Sequence, residues 1–143
     1  MNLSGCARGA RHNLTLDVKA GDRQTSLPVV LLRGSRAGRT LVVTAGIHGD
    51  EYEGVRAIYD VIGELDPASM SGDLLCVPVA NPPAFWAVSR CSPLDGKNLA
   101  RVFPGRTGGS ITEAIAYALD SEILPHADFF LDLHSAGDRK SVV

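Results

Sequence analysis

Two apolar runs that end in histidine constrain this chain more than any other feature. Thr40-Leu-Val-Val-Thr-Ala45 leads into Gly46-Ile-His48-Gly-Asp-Glu51, and Phe129-Phe-Leu-Asp-Leu133 leads into His134. Compact apolar runs rich in β-branched or aromatic residues, bounded by turn residues, read as buried strands. In sheets built from alternating strands and helices, ligands sit beyond the carboxyl ends of the strands. A fold that brings these two strand ends to one sheet edge delivers His48, Glu51 and His134 to the same place.

The rest of the chain fits that frame. Residues 14–18 alternate apolar and polar at period two, Gly21-Asp22 makes a turn, and residues 26–33 form a second strand. Together they predict a β-hairpin within an N-terminal region of residues 1–35. Residues 34–38 read as a loop. Residues 51–65 place Val55, Ile58, Ile62 and Leu65 at spacings of three and four, the pattern of an amphipathic helix. Residues 74–80 are another apolar run, in which Pro78 points to an edge strand or a bulge. Pro82 and Pro83 open a short helix through Trp86. Residues 92–109 hold no periodicity. Ser110 with Glu113 forms a capping box for a helix running to about Leu124 and ended by Pro125. Strands alternating with helices predict an α/β sheet with parallel neighbours. Asn81, just past the run 74–80, joins His48 and His134 as a polar residue at a strand end.

Length and composition permit one domain, residues 1–143, with a real core. A formal charge of −2 gives no electrostatic case for nucleic acid or an anionic membrane. No stretch approaches the roughly 18 apolar residues of a membrane span. Arg8 and Arg11 are not followed by an apolar run, so no secretory signal is expected. Cys6, Cys76 and Cys91 are odd in number and contain no C-x-x-C pair. That pattern predicts reduced thiols in a cytoplasmic protein.

Two imidazoles and a carboxylate make a three-ligand zinc site with an open fourth position. Such a site activates water or polarises a carbonyl, the chemistry of a metal-dependent hydrolase. Glu51 is three residues after His48, so one turn can aim both at a single ion. Asp132 shares a strand face with His134 and can orient a ligand imidazole. Taken alone, H-x-x-E is a common accident and His134 could be a hydrogen-bonded core imidazole. The matching strand-end settings favour metal, one zinc per chain.

Several longer motifs carry a resemblance. Ala45-Gly-Ile-His-Gly-Asp-Glu-Tyr-Glu-Gly54, Asn81-Pro-Pro-Ala-Phe85, Asp95-Gly-Lys-Asn-Leu-Ala-Arg-Val-Phe-Pro-Gly105, Gly109-Ser-Ile-Thr-Glu113 and Asp132-Leu-His-Ser-Ala-Gly137 follow one another in order. From about Leu27 to Gly137 the chain resembles the succinylglutamate desuccinylase/aspartoacylase family, zinc hydrolases related to the metallocarboxypeptidases. The resemblance implies an α/β fold, a zinc-carboxypeptidase-like mixed sheet flanked by helices, truncated after the strand that carries the third ligand. It implies zinc held by His48, Glu51 and His134, and cleavage of an N-acyl amide or a related ester or peptide-like bond. It assigns Arg101, and Arg90 as the best match for a second arginine, to a small acylated amine or amino acid substrate. Arginine suits that task because its planar guanidinium meets a carboxylate bidentately; the bland readings are a structural salt bridge for Arg101 and a solvated loop charge for Arg90.

The chain also departs from the family. Ala100 stands where an asparagine usually precedes the arginine, and alanine cannot hydrogen-bond a carboxylate or polarise a carbonyl. Asn98 replaces it only if the loop is remodelled, and otherwise reads as a turn residue. The family's general base is a glutamate in a later segment, and its members are roughly twice as long or more. The chain is therefore expected to be an N-terminal portion, with residues 138–143 departing from the pattern. Three activities stay open: a zinc-dependent deacylase, a non-catalytic zinc-binding remnant or module completed by another chain, and a zinc carboxypeptidase. Self-association, or dependence on a missing C-terminal half, is expected.

Other tempting residues have plainer readings. His12 and His126 lack partner spacing and read as surface or structural. Glu53 suits a helix N-terminus. Cys91 reads as a structural thiol, Phe85 and Trp86 as core or pocket wall, and residues 108–110 as a loop and cap.

Overall fold

A computed structural model describes residues 1–135. The tail 138–143 and the last two residues of the Asp132 motif lie outside the described residues.

β1 (Ala10–Ala20) and β2 (Arg23–Arg33) form the hairpin, paired from Ala10 with Arg33 to Ala20 with Arg23. Gly21 takes φ +61°, in the left-handed region that tight hairpin turns favour. Both strands run longer than their apolar alternation indicates. Backbone pairing does not depend on side-chain polarity, so the polar ends 10–13 and 23–25 join the ladder. β3 (Arg36–Ala45) likewise begins inside the expected loop, because Arg36 pairs with Ser71 across an irregularity before Thr40. There the backbones nearly touch: a Cβ on Gly38 would lie 2.8 Å from Gly72 N.

β4 (Ser71–Val77) lies between β2 and β3 in the order β1-β2-β4-β3-β5. It is an inner strand, which corrects the edge expectation. Pro78 falls just beyond its end and removes no ladder donor. β5 (Phe129–Leu133) closes the order and pairs with β3. The pairs β1/β2 and β2/β4 are antiparallel and β3/β4 and β3/β5 parallel, so the sheet is mixed.

The sheet's period of two sorts its side chains to two cores. Leu27, Val29, Leu31, Val42, Leu75 and Val77 pack against Ile111, Ile115, Leu119 and Ile123. Val30, Leu32, Val43, Leu74 and Cys76 pack against Val55, Ile58 and Ile62. These helical partners come from α3 (Ile111–Ala118) with the turns that prolong it, and from α1 (Glu53–Glu64). α1 starts two residues later than expected, which leaves Glu51 ahead of the helix, and Leu65 is exposed. Ser110 N donates to Glu113 Oε2 at 2.8 Å at the start of α3. A π turn (Leu119–Ile123) and a 3-10 turn (Leu124–His126) carry the chain on, so Pro125 sits inside the last turn.

α2 (Pro82–Trp86) forms as expected; Trp86 is 80% exposed and so is not core, but with Tyr59, Pro82 and Phe85 it lines a surface pocket. Phe85 is half-buried against the second core. No helix among the described residues is long and apolar enough to cross a membrane.

Candidate metal centre

The turn after β3 is built by backbone contact. Gly46 has φ +65°, and Gly49 lies so close to Ala84 that no side chain fits between them. Gly49 N donates to Ser89 O at 2.9 Å and Asn81 N to Gly46 O at 3.0 Å. The Asn81 side chain is fully buried, donates to Ile47 O at 3.2 Å and accepts from Ala84 N at 3.4 Å. Asn81 therefore holds the turn and caps α2; it does not face a substrate, which corrects its reading as a strand-end functional residue.

This turn and the end of β5 bring His48, Glu51 and His134 together, with ligand atoms within 4.8 Å of one another. His48 and Glu51 are each 4% exposed, and His134 lies at the rim. His48 Nδ1 is 2.9 Å from Glu51 Oε1, and His134 Nδ1 is 2.9 Å from Glu51 Oε2. Ser135 N donates to Oε2 at 3.1 Å and Arg90 Nη1 to Oε1 at 3.1 Å. Burial works to raise the Glu51 carboxyl, but the Ser135 N–H, the His134 hydrogen bond and the neighbouring imidazoles outweigh it and hold it below its ordinary value. Burial works to lower His134, and is outweighed by Asp132 and Glu51, which raise it.

The far ring nitrogens decide what the near ones can do. Ala100 N donates to Asn98 Oδ1 at 3.0 Å, which identifies that atom as the amide oxygen. His48 Nε2 is 3.2 Å from the same oxygen and must donate to it. His134 Nε2 is 2.8 Å from Asp132 Oδ2, again an acceptor. In a neutral imidazole a protonated Nε2 leaves a lone pair on Nδ1. Two such lone pairs then face a carboxylate, an arrangement satisfied by protonating both rings or by a cation among them.

A divalent cation fits. Two nitrogens and a carboxylate oxygen suit a catalytic zinc with one position open. Two donors on one tetrahedral zinc lie about 3.3 Å apart, given bonds of roughly 2.0–2.1 Å. The two 2.9 Å contacts go to different Glu51 oxygens, and the three ligand atoms lie within 4.8 Å of one another, so the side chains draw in around one ion by small rotations.

The other sequence candidates take different places. Arg90 is half exposed and meets Glu51, so it lies against the centre. Arg101 is exposed on the 3-10 turn Leu99–Arg101, and its side chain has no hydrogen-bond or ion-pair partner among the described residues. Ala100, on the same turn, helps line a cavity of about 180 Å³ with Thr44, Ile47, Phe103, Phe130 and Asp132. Glu53 opens α1 and accepts from the Ser135 hydroxyl. His12 and His126 bond the carbonyls of Ala7 and Met1. Cys91 is half-buried and free, and burial pushes the Cys76 thiol up to about 12.

Two participants escaped the sequence reading. Asn98 reaches His48, and Thr44 Oγ1 donates to Asp132 Oδ1 at 2.6 Å across β3 and β5. Thr44 opposite Asp132 follows from the β3/β5 register, which local pattern does not contain.

Comparison with known proteins points the same way as the motifs. Residues 37–142 match the family model described as the succinylglutamate desuccinylase/aspartoacylase catalytic domain. The chain is 40% identical over 117 residues to the N-alpha-acetyl-L-2,4-diaminobutyric acid deacetylase of Halomonas elongata, covering 82% of this chain and 34% of that protein. The crystal structure of a succinylglutamate desuccinylase/aspartoacylase from Rhodobacter sphaeroides superposes with a TM-score of 0.85 at 33% identity, covering 96% of this chain and 44% of that one. The product-bound ectoine utilization protein EutE (DoeB) from Ruegeria pomeroyi gives a TM-score of 0.81 at 36% identity, covering 91% and 41%. The chain thus spans about a third of the curated relative and under half of these solved structures.

Proposed function

Since the chain belongs to the succinylglutamate desuccinylase/aspartoacylase family, we propose that it carries the metal half of a zinc-dependent deacylase for N-acyl amino acids. The carrying observation is the convergence of both imidazole Nδ1 atoms on the buried Glu51 carboxylate, with the ligand atoms within 4.8 Å of one another. His48, Glu51 and His134 are the proposed ligands for one zinc. Zinc held there supplies Lewis-acid polarisation of a carbonyl and activation of water.

This chain's own residues prepare that chemistry. Asp132 and Asn98 hold the two imidazoles with Nε2 protonated. Arg101, exposed and unpaired among the described residues, is the proposed partner for a substrate carboxylate, with Arg90 as the second cation beside the centre. The Halomonas relative acts, by its name, on an N-acetylated diamino acid, and the proposed substrate is a small molecule of that chemistry. Without a hydrogen-bonding side chain at Ala100, the carboxylate depends more heavily on the two arginines. Reduced cysteines fit a cytoplasmic setting.

A second reading is a zinc-binding module completed by another polypeptide; these residues span 34% of the curated relative's length. The resemblance places the general base in a later segment. On that basis the 143 residues alone should hydrolyse an amide about 10²–10⁴-fold more slowly than a complete enzyme.

One experiment separates the readings. Zinc content and hydrolysis of N-acetyldiaminobutyrate are measured for the chain alone and with the unmatched portion of the Halomonas relative. One zinc per chain, lost in His48→Ala and His134→Ala, with activity only in the mixture, is the expected result. Undiminished zinc in His134→Ala would sink the ligand assignment. Full turnover by the chain alone would place the base within it, with Glu53 the first to test.

A further inference from the structure

The Asn98 side chain does two things with one oxygen. Its Oδ1 accepts from Ala100 N at 3.0 Å, which caps the 3-10 turn Leu99–Arg101. The same Oδ1 is 3.2 Å from His48 Nε2. A carbonyl oxygen has two lone pairs, so both bonds can coexist. The backbone N–H of Ala100 cannot turn away, because Arg101 N donates to Asn98 O at 3.0 Å and closes the turn from the other side. The amide of Asn98 therefore cannot flip without leaving Ala100 N facing its own NH₂ group.

We propose that Asn98 is a positioning residue that fixes the tautomer of His48 and ties the turn bearing Arg101 to the metal centre. The inference rests on the proposed role of His48 as a zinc ligand. A flipped amide would present NH₂ to Nε2, pull the proton to Nδ1 and block the nitrogen that faces Glu51. The Ala100 N–H prevents this. His48 is 4% exposed, so water is poorly placed to substitute for the amide oxygen. His134 has its own acceptor in Asp132, so each imidazole is oriented by a separate group, one charged and one neutral. The neutral one also places the turn on which Ala100 and Arg101 sit. Motion of that turn is then felt at His48.

The cap and the imidazole contact can be separated by substitution. Asn98→Ser keeps a side chain that caps a helical turn well but is too short to reach His48. Asn98→Asp keeps both contacts and adds charge. Asn98→Ala removes both. Zinc affinity is measured by competition with a chelator, and the His48 ring nitrogens are followed by ¹⁵N NMR. Loss of a group that orients a metal-bound imidazole lowers affinity about 10–100-fold. The expected result is a loss of that size in Asn98→Ser and Asn98→Ala, wild-type or tighter binding in Asn98→Asp, and mixed His48 tautomers in the first two. Wild-type affinity and a single tautomer in Asn98→Ser would reduce Asn98 to a cap and overturn the proposal. Loss in Asn98→Asp as large as in Asn98→Ala would do the same. If the wild-type chain binds no zinc, the metal reading itself fails, and the coupling falls with it.

Discussion

Asp132 Oδ2 accepts a hydrogen bond from His134 Nε2 at 2.8 Å, across the two-residue repeat of an extended backbone. Its other oxygen is held by Thr44 Oγ1 at 2.6 Å, so the carboxylate is fixed between two strands. A carboxylate in this position raises the basicity of the opposite ring nitrogen and sets its direction. Asp132→Ala is expected to weaken zinc binding about 10–100-fold, and Thr44→Val by less, because the carboxylate remains. Chelator competition on the purified variants reads both. Unchanged affinity in Asp132→Ala would leave Asp132 as a structural link between β3 and β5.

Arg101 and Ala100 make a pair of opposite tests. In an active mixture with the remaining portion of a relative, Arg101→Lys keeps the charge but loses the bidentate fork. KM for a carboxylate-bearing substrate should rise roughly tenfold, since hydrogen bonds to charged groups are worth about 1.5–3 kcal/mol. Ala100→Asn restores the side chain usual in the family and should improve turnover of N-acyl amino acids. Steady-state kinetics on both variants would show no change if the substrate lacks a carboxylate.

Much of this was legible in the sequence because it is local. The runs 40–45 and 129–133 are apolar enough to be strands wherever they lie, and the residues that follow a strand are delivered to its end. That places His48, Glu51 and His134 without knowledge of strand order, and the mixed α/β sheet agrees with the motif resemblance. What escaped depends on partners. Pro78 looked like a defect within a strand until β4 was seen to stop at Val77. Trp86 reads as core or pocket wall by its chemistry, and a short helix at the surface makes it the exposed wall of a pocket and not core. Asn98 has the sequence signature of a turn residue and is one. Its second bond, to His48, arises because the turn packs fifty positions away from where the imidazole is encoded.

Glu113 carries an acid-sensitive part of the stability. Lys97 Nζ at 2.9 Å, the Ser110 N–H at 2.8 Å and Arg106 Nε at 3.2 Å hold its carboxyl at about 2. A depressed carboxyl stabilises the fold above its unfolded value, near 4.3–4.5, and loses that contribution as pH falls through the folded value. Glu113→Gln keeps an acceptor for Ser110 N and removes the charge. The melting temperature of the wild type should exceed that of the variant above pH 5, and the gap should close between about pH 4.5 and 2. A gap that is constant over this range would show that the ion pairs contribute nothing.

β5 should make the 143-residue chain self-associate. It stands at the edge of the sheet among the described residues, and Phe129, Phe130 and Leu131 are 62%, 52% and 47% exposed. Phe129 and Leu131 border a groove of about 450 Å³ with Val61 and Leu65 of the α1 side. Phe130 points to the opposite face, where it lines the smaller cavity beside Ala100. An edge strand with apolar side chains on both faces offers unpaired backbone groups and a dehydrating surface together, and natural edges are usually blunted by charge. Sedimentation at increasing concentration should show dimers or larger species. Burying one such side chain is worth about 1.5–3 kcal/mol, so Leu131→Lys should weaken association tenfold or more. Phe130→Lys should act on the other face and add to it. A wild-type chain that stays monomeric at all concentrations would mean that the edge is already shielded. Association unaffected by either lysine would place the contact elsewhere on the molecule, with exposed Trp86 the next site to test.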